Sequence, residues 1–332
     1  MKNIEVKEYS EEFHRQWDDF IRTSSRNGGI FQERDFLSYH AEGKFNDASL
    51  LFFEEGELIS VFPAAIITDN GNEKIVSHPG SSCGGLIYHN TATLKRVLEI
   101  LQLLIGHYRS KNISSIEMHL AEPVFHSMPE GELTFLLWHR GFTLKTQEIS
   151  SCIRLSNENS WEKLGRKKNL TDIRKLEREG YTVKTTDEAE RIYPLIESNQ
   201  ARKYKRKPTH TLDELKMLKQ IYPGRIHFHV AEINDTIAAV TVLFDVTSKA
   251  VHTFYIAQAQ EFASINVFPF MFYKIFEQYQ QQGFDWYNFG ISSRGQEIKW
   301  GMLEFKERTG GRATTRQVWI LENLSNYKKF EE

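Results

Sequence analysis

Residues 49–67, SLLFFEEGELISVFPAAII, decide the fold, because residues 226–244, IHFHVAEINDTIAAVTVLF, repeat their pattern. Each stretch is a run of aliphatic, β-branched and aromatic residues broken in the middle by turn formers. These are Glu55-Gly56-Glu57 in the first and Asn234-Asp235 in the second. Such a pattern predicts an antiparallel hairpin. Working outward, each hairpin is followed by another strand-like run, IVSHPGSSCGGLIY (75–88) and AVHTFYIAQAQ (250–260). An amphipathic helix follows each, at about 92–110 and 265–282, marked by the stripes Leu94-Val97-Leu98-Leu101 and Phe268-Phe272-Ile275-Phe276. A strand comes next in both halves, SSIEMHL (114–120) and DWYNFG (285–290). A helix and a strand then close each half, in LTFLLWHRGFTLK (133–145) and LEFKERTGGRATTRQVWIL (303–321). The order β-β-β-α-β-α-β occurs twice. Helices lead into each half at about 9–25 and 187–220. The pattern predicts two tandem α/β units, each a mixed, mainly antiparallel sheet flanked by helices, over residues 1–155 and 156–332.

Bulk composition agrees. A chain of 332 residues suits two domains, and 40% hydrophobic with 13% aromatic residues suffices for packed cores. A formal net charge of -2 argues against a uniformly basic nucleic-acid coat. The first twenty residues carry charges throughout and lack the apolar core of a secretion signal. The greasiest helical stretch, LKRVLEILQLLIGHYR (94–109), is interrupted by Lys95, Arg96, Glu99 and His107, so no membrane span is expected. Two cysteines, Cys83 and Cys152, make neither a disulfide framework nor a metal quartet. A cytoplasmic protein is the expectation.

The segment between the halves is strongly basic. Residues 160–179 read as one helix that Ser160 caps and Gly180 stops, and that carries Lys163, Arg166, Lys167, Lys168, Arg174, Lys175 and Arg178. A solvated connector explains these charges, and so does a cationic surface for substrate phosphates, with Lys167 and Arg174 as phosphate ligands.

Four segments resemble a known family: SHPGSSCGGLIY (77–88), KKNLTDIRKLEREGYTV (167–183), YNFGIS (287–292) and LEFKERTGGR (303–312). They look like the signature stretches of the FemAB-like peptidyltransferases, a tandem-domain branch of the GNAT acyltransferases, in the right order from about residue 10 to 320. The resemblance implies two tandem GNAT-like units. It also implies transfer of an acetyl or aminoacyl group to the amine of an amino sugar or peptide, in cell-envelope biosynthesis. The co-substrate would be acyl-CoA or an aminoacyl-tRNA, with no tightly bound cofactor. The acceptor would be a small molecule or peptidoglycan precursor, with tRNA a possible partner. The sequence says nothing of oligomeric state. One departure stands out: the long coiled-coil arm of well-studied members has no matching heptad run here.

The resemblance puts Lys306 of the LEFKE segment in the substrate groove, where an ammonium could stabilise an oxyanion; a surface lysine paired with Glu304 or Glu307 is the plainer reading. Tyr255 lies on the strand that flanks the acyl donor in GNAT folds, and its hydroxyl could serve the leaving group or oxyanion, or simply pack in a core. Asn288 and Gly290 end a strand where ligands of open α/β sheets gather; Asn288 could bind a substrate amide or cap a turn. Arg294 and Trp300 follow in the loop ISSRGQEIKWG (291–301), as grip and wall of a groove, and Phe305 beside Lys306 suits substrate or core. The segment NQARKYKRKPTH (199–210) sets Tyr204 and Arg206 among four further cations, which suits a phosphate-bearing substrate or a solvated loop. Acetyl-CoA-binding GNAT domains hold the pyrophosphate on a glycine-containing loop at a helix N-terminus. Here AQEFASINVFPF (259–270) and, in the first half, YHNTATLKRV (88–97) contain no glycine. Cys83 invites a nucleophile reading, but no local charge stabilises a thiolate. His227 and His229 share a strand face without a third ligand, so no metal is expected. Two other classes stay open: a non-catalytic protein binding a nucleotide-sugar or peptide through a degenerate donor site, and a tRNA-binding accessory protein.

Overall fold

The computed structural model describes residues 3–69, 71–155 and 160–327. The chain divides into two compact units. One comprises residues up to Glu148 together with those from Thr315 onward; the other is Ile149–Thr314. The chain therefore passes from one to the other twice, each time inside a β-strand.

The first unit contains β1 (Ile4–Glu8), α1 (His14–Thr23), β2 (Leu50–Glu54), β3 (Glu57–Phe62), β4 (Ala65–Asp69), β5 (Asn72–Ser77), β6 (Ile87–Tyr88), α2 (Leu94–Ser110), β7 (Ser115–His119), α3 (Glu132–His139) and the start of β8 (Thr143–Arg154). The order β1-β2-β3-β6 forms one antiparallel sheet. In the other sheet of this unit the order is β7-β5-β4, with β5 and β7 parallel. The predicted hairpin at 49–67 is β2-β3, and its turn residues Glu55 and Gly56 both have positive φ, +52° and +86°. Such turns match the right-handed twist of the strands they join. The core gathers Leu101, Leu104, Ile116, Leu137 and Phe142.

The second unit contains α4 (Ser160–Leu164), α5 (Lys167–Arg178), β9 (Thr182–Thr186), α6 (Ala189–Tyr204), α7 (Leu212–Ile221), β10 (Ile226–Ile233), β11 (Thr236–Asp245), β12 (Ala250–Gln258), α8 (Val267–Gln281), β13 (Trp286–Ile291), α9 (Trp300–Arg308) and the first residues of β14 (Arg312–Leu321). Strand order is β9-β10-β11-β12-β13-β8, antiparallel except for the parallel pair β12-β13. Phe272 and Phe276 of α8 pack on Tyr287 and Phe289 of β13, with ring centroids 4.8 to 6.0 Å apart. Each such buried ring contributes about 1.5–3 kcal/mol.

The single helix expected over 160–179 is two helices. The break falls at Gly165-Arg166, where the Tyr273 hydroxyl lies 2.2 Å from the place a Gly165 Cβ would take. Arg166 then has extended backbone at the start of α5. Gly180 does end α5, with φ +87°. The helix cap assigned to Ser160 concerns a side chain outside the described residues. Among the described residues no helix is long and apolar enough to cross a membrane.

Candidate active site

Strands β12 and β13 pair through three rungs, Ala250↔Trp286, Val251↔Tyr287 and His252↔Asn288. Beyond them the ladder stops. Both strands are bent at that point. Opposite β11 the register slips so that Thr253 faces Leu243 and Tyr255 faces Val242, leaving Phe254 as a bulge. Opposite β8 the register slips between Asn288 and Ile291. Gly290 absorbs that second bend with φ +75°, a conformation that costs other residues about 1–2 kcal/mol. The result is that the two parallel strands part beyond His252 and Asn288, which stand at the apex of the split.

The apex is rigidly wired. Asn288 is fully buried, and its Oδ1 accepts the Gly290 N–H at 2.7 Å. The same oxygen lies 2.8 Å from His252 Nδ1. Lys306 on α9 is buried, and its ammonium donates to the carbonyls of Gly290 at 2.7 Å and Ile291 at 2.8 Å. Gly311, where a Cβ would lie 2.9 Å from the Lys306 carbonyl oxygen, lets the following chain close over α9. Lys306 and Asn288, far apart in sequence, thus meet on one glycine.

The other predicted residues sit elsewhere in the unit. The Tyr255 hydroxyl accepts the His210 N–H at 3.0 Å and lies 3.3 Å from His210 Nδ1, and burial pushes the phenol up. Tyr193 donates to the His210 carbonyl at 3.0 Å, so Tyr255 ties the α6–α7 connection to β12. Phe305 turns towards the core, with Phe268 and Phe272 at 5.8 and 6.1 Å. Trp300 is 63% exposed, and Arg294 is exposed on the same connection. Arg206 lies over Tyr204 at 5.5 Å and donates to Gln200 Oε1 at 3.1 Å. Lys167 and Arg174 are exposed on α5. Arg174 lines a surface hollow of about 640 Å³ with Thr171, Glu177 and Arg178. A second hollow of about 380 Å³ lies between Arg166, Arg308 and Arg312.

The glycine-free segment 259–270 leads into the N-terminus of α8. Part of that terminus's anion-binding capacity is taken up. The Val267 N–H donates to the Ile265 carbonyl at 2.9 Å, Pro269 has no N–H, and Asn266 donates to the Asp172 carboxylate at 2.8 Å. A carboxylate beside a helix N-terminus takes the favourable potential an anion would use.

The corresponding cleft of the first unit is filled. Strands β5 and β7 pair through Ser77↔Met118, and Gly84 then bridges Leu120. The Gly84 N–H donates to the His119 carbonyl at 2.7 Å, and a Cβ at Gly84 would lie 2.5 Å from the Ser77 carbonyl carbon. The glycine-rich loop 78–85 therefore plugs the place where the strands would part. Its Cys83 is buried, accepts from Gln32 Nε2 at 3.3 Å, and burial pushes the thiol up to about 12. That removes it as a nucleophile. His227 pairs with Asp245 at 3.0 Å, while burial holds His229 down at about 3.

Sequence reasoning passed over His252. Its signal was present in HTFYIAQAQ, as a histidine three residues before Tyr255 on the same strand, but its partner lies 36 residues later.

A duplicated α/β unit with one open strand cleft and one plugged one defines the class: a tandem protein with the fold of acyltransferases. Residues 165–307 match the family model described as the acetyltransferase (GNAT) domain. Over 95% of this chain and 96% of the other, the fold is that of FemX, at TM-score 0.71 and 11% identity. It is also similar to a tandem GNAT protein from the clavulanic acid biosynthesis pathway (TM-score 0.54, 10% identity, 96% and 98% covered). L-PGS from Bacillus licheniformis is similar too, at TM-score 0.56 and 11% identity, with 88% of this chain and 92% of that one covered. No curated protein is similar to the chain in sequence. The chain thus has a tandem GNAT-like fold similar to that of FemX, and its residues 165–307 match the GNAT domain model.

Proposed function

We propose that this protein is an N-acyltransferase that moves an aminoacyl group from an ester donor, an aminoacyl-tRNA, to the amine of an amino sugar or peptide of the cell-envelope precursor kind. The observation that supports the donor choice is at the N-terminus of α8, where the Asp172 carboxylate beside Asn266 and the missing N–H of Pro269 weaken the site for an acyl-CoA diphosphate. The fold supports acyl transfer, and the diverging strands β12 and β13 supply a groove for the acyl chain. A polyanionic donor suits the cations Arg202, Lys203, Lys205, Arg206 and Lys207 at the end of α6, and those exposed on α5. Alignment of amine and ester in such a groove is worth several kcal/mol of barrier, with no covalent enzyme intermediate.

The test is a donor panel, total aminoacyl-tRNA against acetyl-CoA and longer acyl-CoAs, with glucosamine, muramyl peptides and lysine-containing peptides as acceptors. Acceptor-dependent loss of tRNA charging is expected. Thiol release from acyl-CoA would overturn the donor choice. Silence with every donor would overturn the transferase reading and leave a binding protein.

A further inference from the structure

We propose that His252 is the general base of this transfer, its ring held in one tautomer by Asn288; the inference rests on the acyl-transfer reading above. The Gly290 backbone N–H can donate and cannot accept, so the Asn288 atom 2.7 Å away is the carbonyl oxygen Oδ1. That oxygen carries no hydrogen. The His252 nitrogen 2.8 Å from it, Nδ1, must therefore carry the proton of that hydrogen bond. A neutral imidazole protonated at Nδ1 has its lone pair on Nε2, the form a base requires.

Position agrees with chemistry. His252 is the last residue of β12 to pair with β13, so its ring sits where the strands part. It is half-buried, neither sealed in the core nor loose at the surface. The ring edge bearing Cε1 and Nε2 faces Gly290: a Cβ there would lie 3.1 Å from Cε1 and 3.8 Å from Nε2. Glycine leaves out the methyl that would press on that edge. Lys306 adds support, because its ammonium fixes the Gly290 and Ile291 carbonyls next to the Gly290 N–H that Asn288 accepts. In this chain Lys306 and Asn288 are positioning residues, and His252 is the group that meets the reacting amine.

The acceptor amine attacks the acyl carbon of the ester, forming the N–C bond and a tetrahedral oxyanion. The amine proton passes to His252 Nε2. The oxyanion collapses, the ester C–O bond breaks, and the departing hydroxyl of the donor takes the proton from the imidazolium. Neutral His252 and the amide remain.

Two measurements test this. Long-range ¹H–¹⁵N correlation of histidine rings in the resting protein, with His252→Gln to assign the signal, reads the tautomer without any substrate. Protonation at Nδ1 is expected at neutral pH, and protonation at Nε2 overturns the proposal. Transfer is then measured for the donor–amine pair of the panel that the native protein turns over fastest. His252→Ala is expected to lower kcat by about 10²–10⁴-fold, with the donor KM little changed, and added imidazole is expected to restore part of the rate. A folded His252→Ala or His252→Gln protein with native kcat overturns the base and leaves the transfer reading standing. A native protein that transfers from no donor overturns both.

Discussion

The ammonium of Lys306 lies 2.7 Å from the carbonyl oxygen of Gly290, a backbone group in the left-handed region sixteen residues earlier. The family resemblance suggested an oxyanion ligand here. In the structure the ammonium spends two hydrogen bonds on backbone carbonyls. Replacing Lys306 by methionine strands both carbonyls in a buried place, at about 1–3 kcal/mol each. Chemical denaturation is expected to show a loss of about 2–4 kcal/mol, together with loss of transfer. Unchanged stability with lost transfer would restore the direct catalytic role.

Gly290 is expected to tolerate no side chain. Gly290→Ala places a Cβ 3.1 Å from His252 Cε1 in a backbone conformation that disfavours it. A destabilisation of about 1–2 kcal/mol by thermal melting is expected. The His252 ring resonances should move in the same variant, because the intruding methyl presses on that ring.

Asp172 and Pro269 should control donor choice. Calorimetric titration of the native protein with coenzyme A is expected to show no saturable binding. In Asp172→Asn with Pro269→Ala, a repelling charge is gone and a helix N–H is returned. Measurable diphosphate affinity is then expected. Binding of coenzyme A by the native protein would contradict the account of α8.

Two buried histidines set the acid limit of the fold. Burial holds His229 at about 3 and His78 at about 4. An unfolded histidine titrates near about 6.5, so below that pH the unfolded chain binds more protons than the folded one. Stability is therefore full above about 6.5 and falls as the pH drops towards 4. Urea midpoints measured from pH 7 to pH 4 should decline, and His229→Phe should decline less steeply.

Local features of this fold were legible in the chain itself. Asn234-Asp235 and Glu55-Gly56 announce their hairpins because a tight turn with positive φ at both central residues admits few residue types. The helix stripes of α2 and α8 were equally plain. What stayed hidden depends on contacts distant in sequence. The break at Gly165 falls where the hydroxyl of Tyr273 on α8 leaves no room for a side chain. The plug at 78–85 shows itself through Gly84 meeting Leu120. His252 acquires meaning from an asparagine on the next strand, whose orientation is fixed in turn by a glycine two residues further on. The bond of Tyr255 to the α6–α7 connection and the packing of Phe305 on Phe268 are likewise contacts distant in sequence.

The two passages of the chain between units, inside β8 and inside β14, also bear on its birth. Residues from Thr315 onward belong to the unit whose other residues are made first. On a ribosome the amino-terminal unit must wait, short of its β14 residues, while all of Ile149–Thr314 is synthesised. At about 5–20 residues per second that delay is on the order of ten to thirty seconds. A nonsense change near residue 314 would therefore release a protein whose later-made unit is nearly whole and whose earlier-made unit can never close.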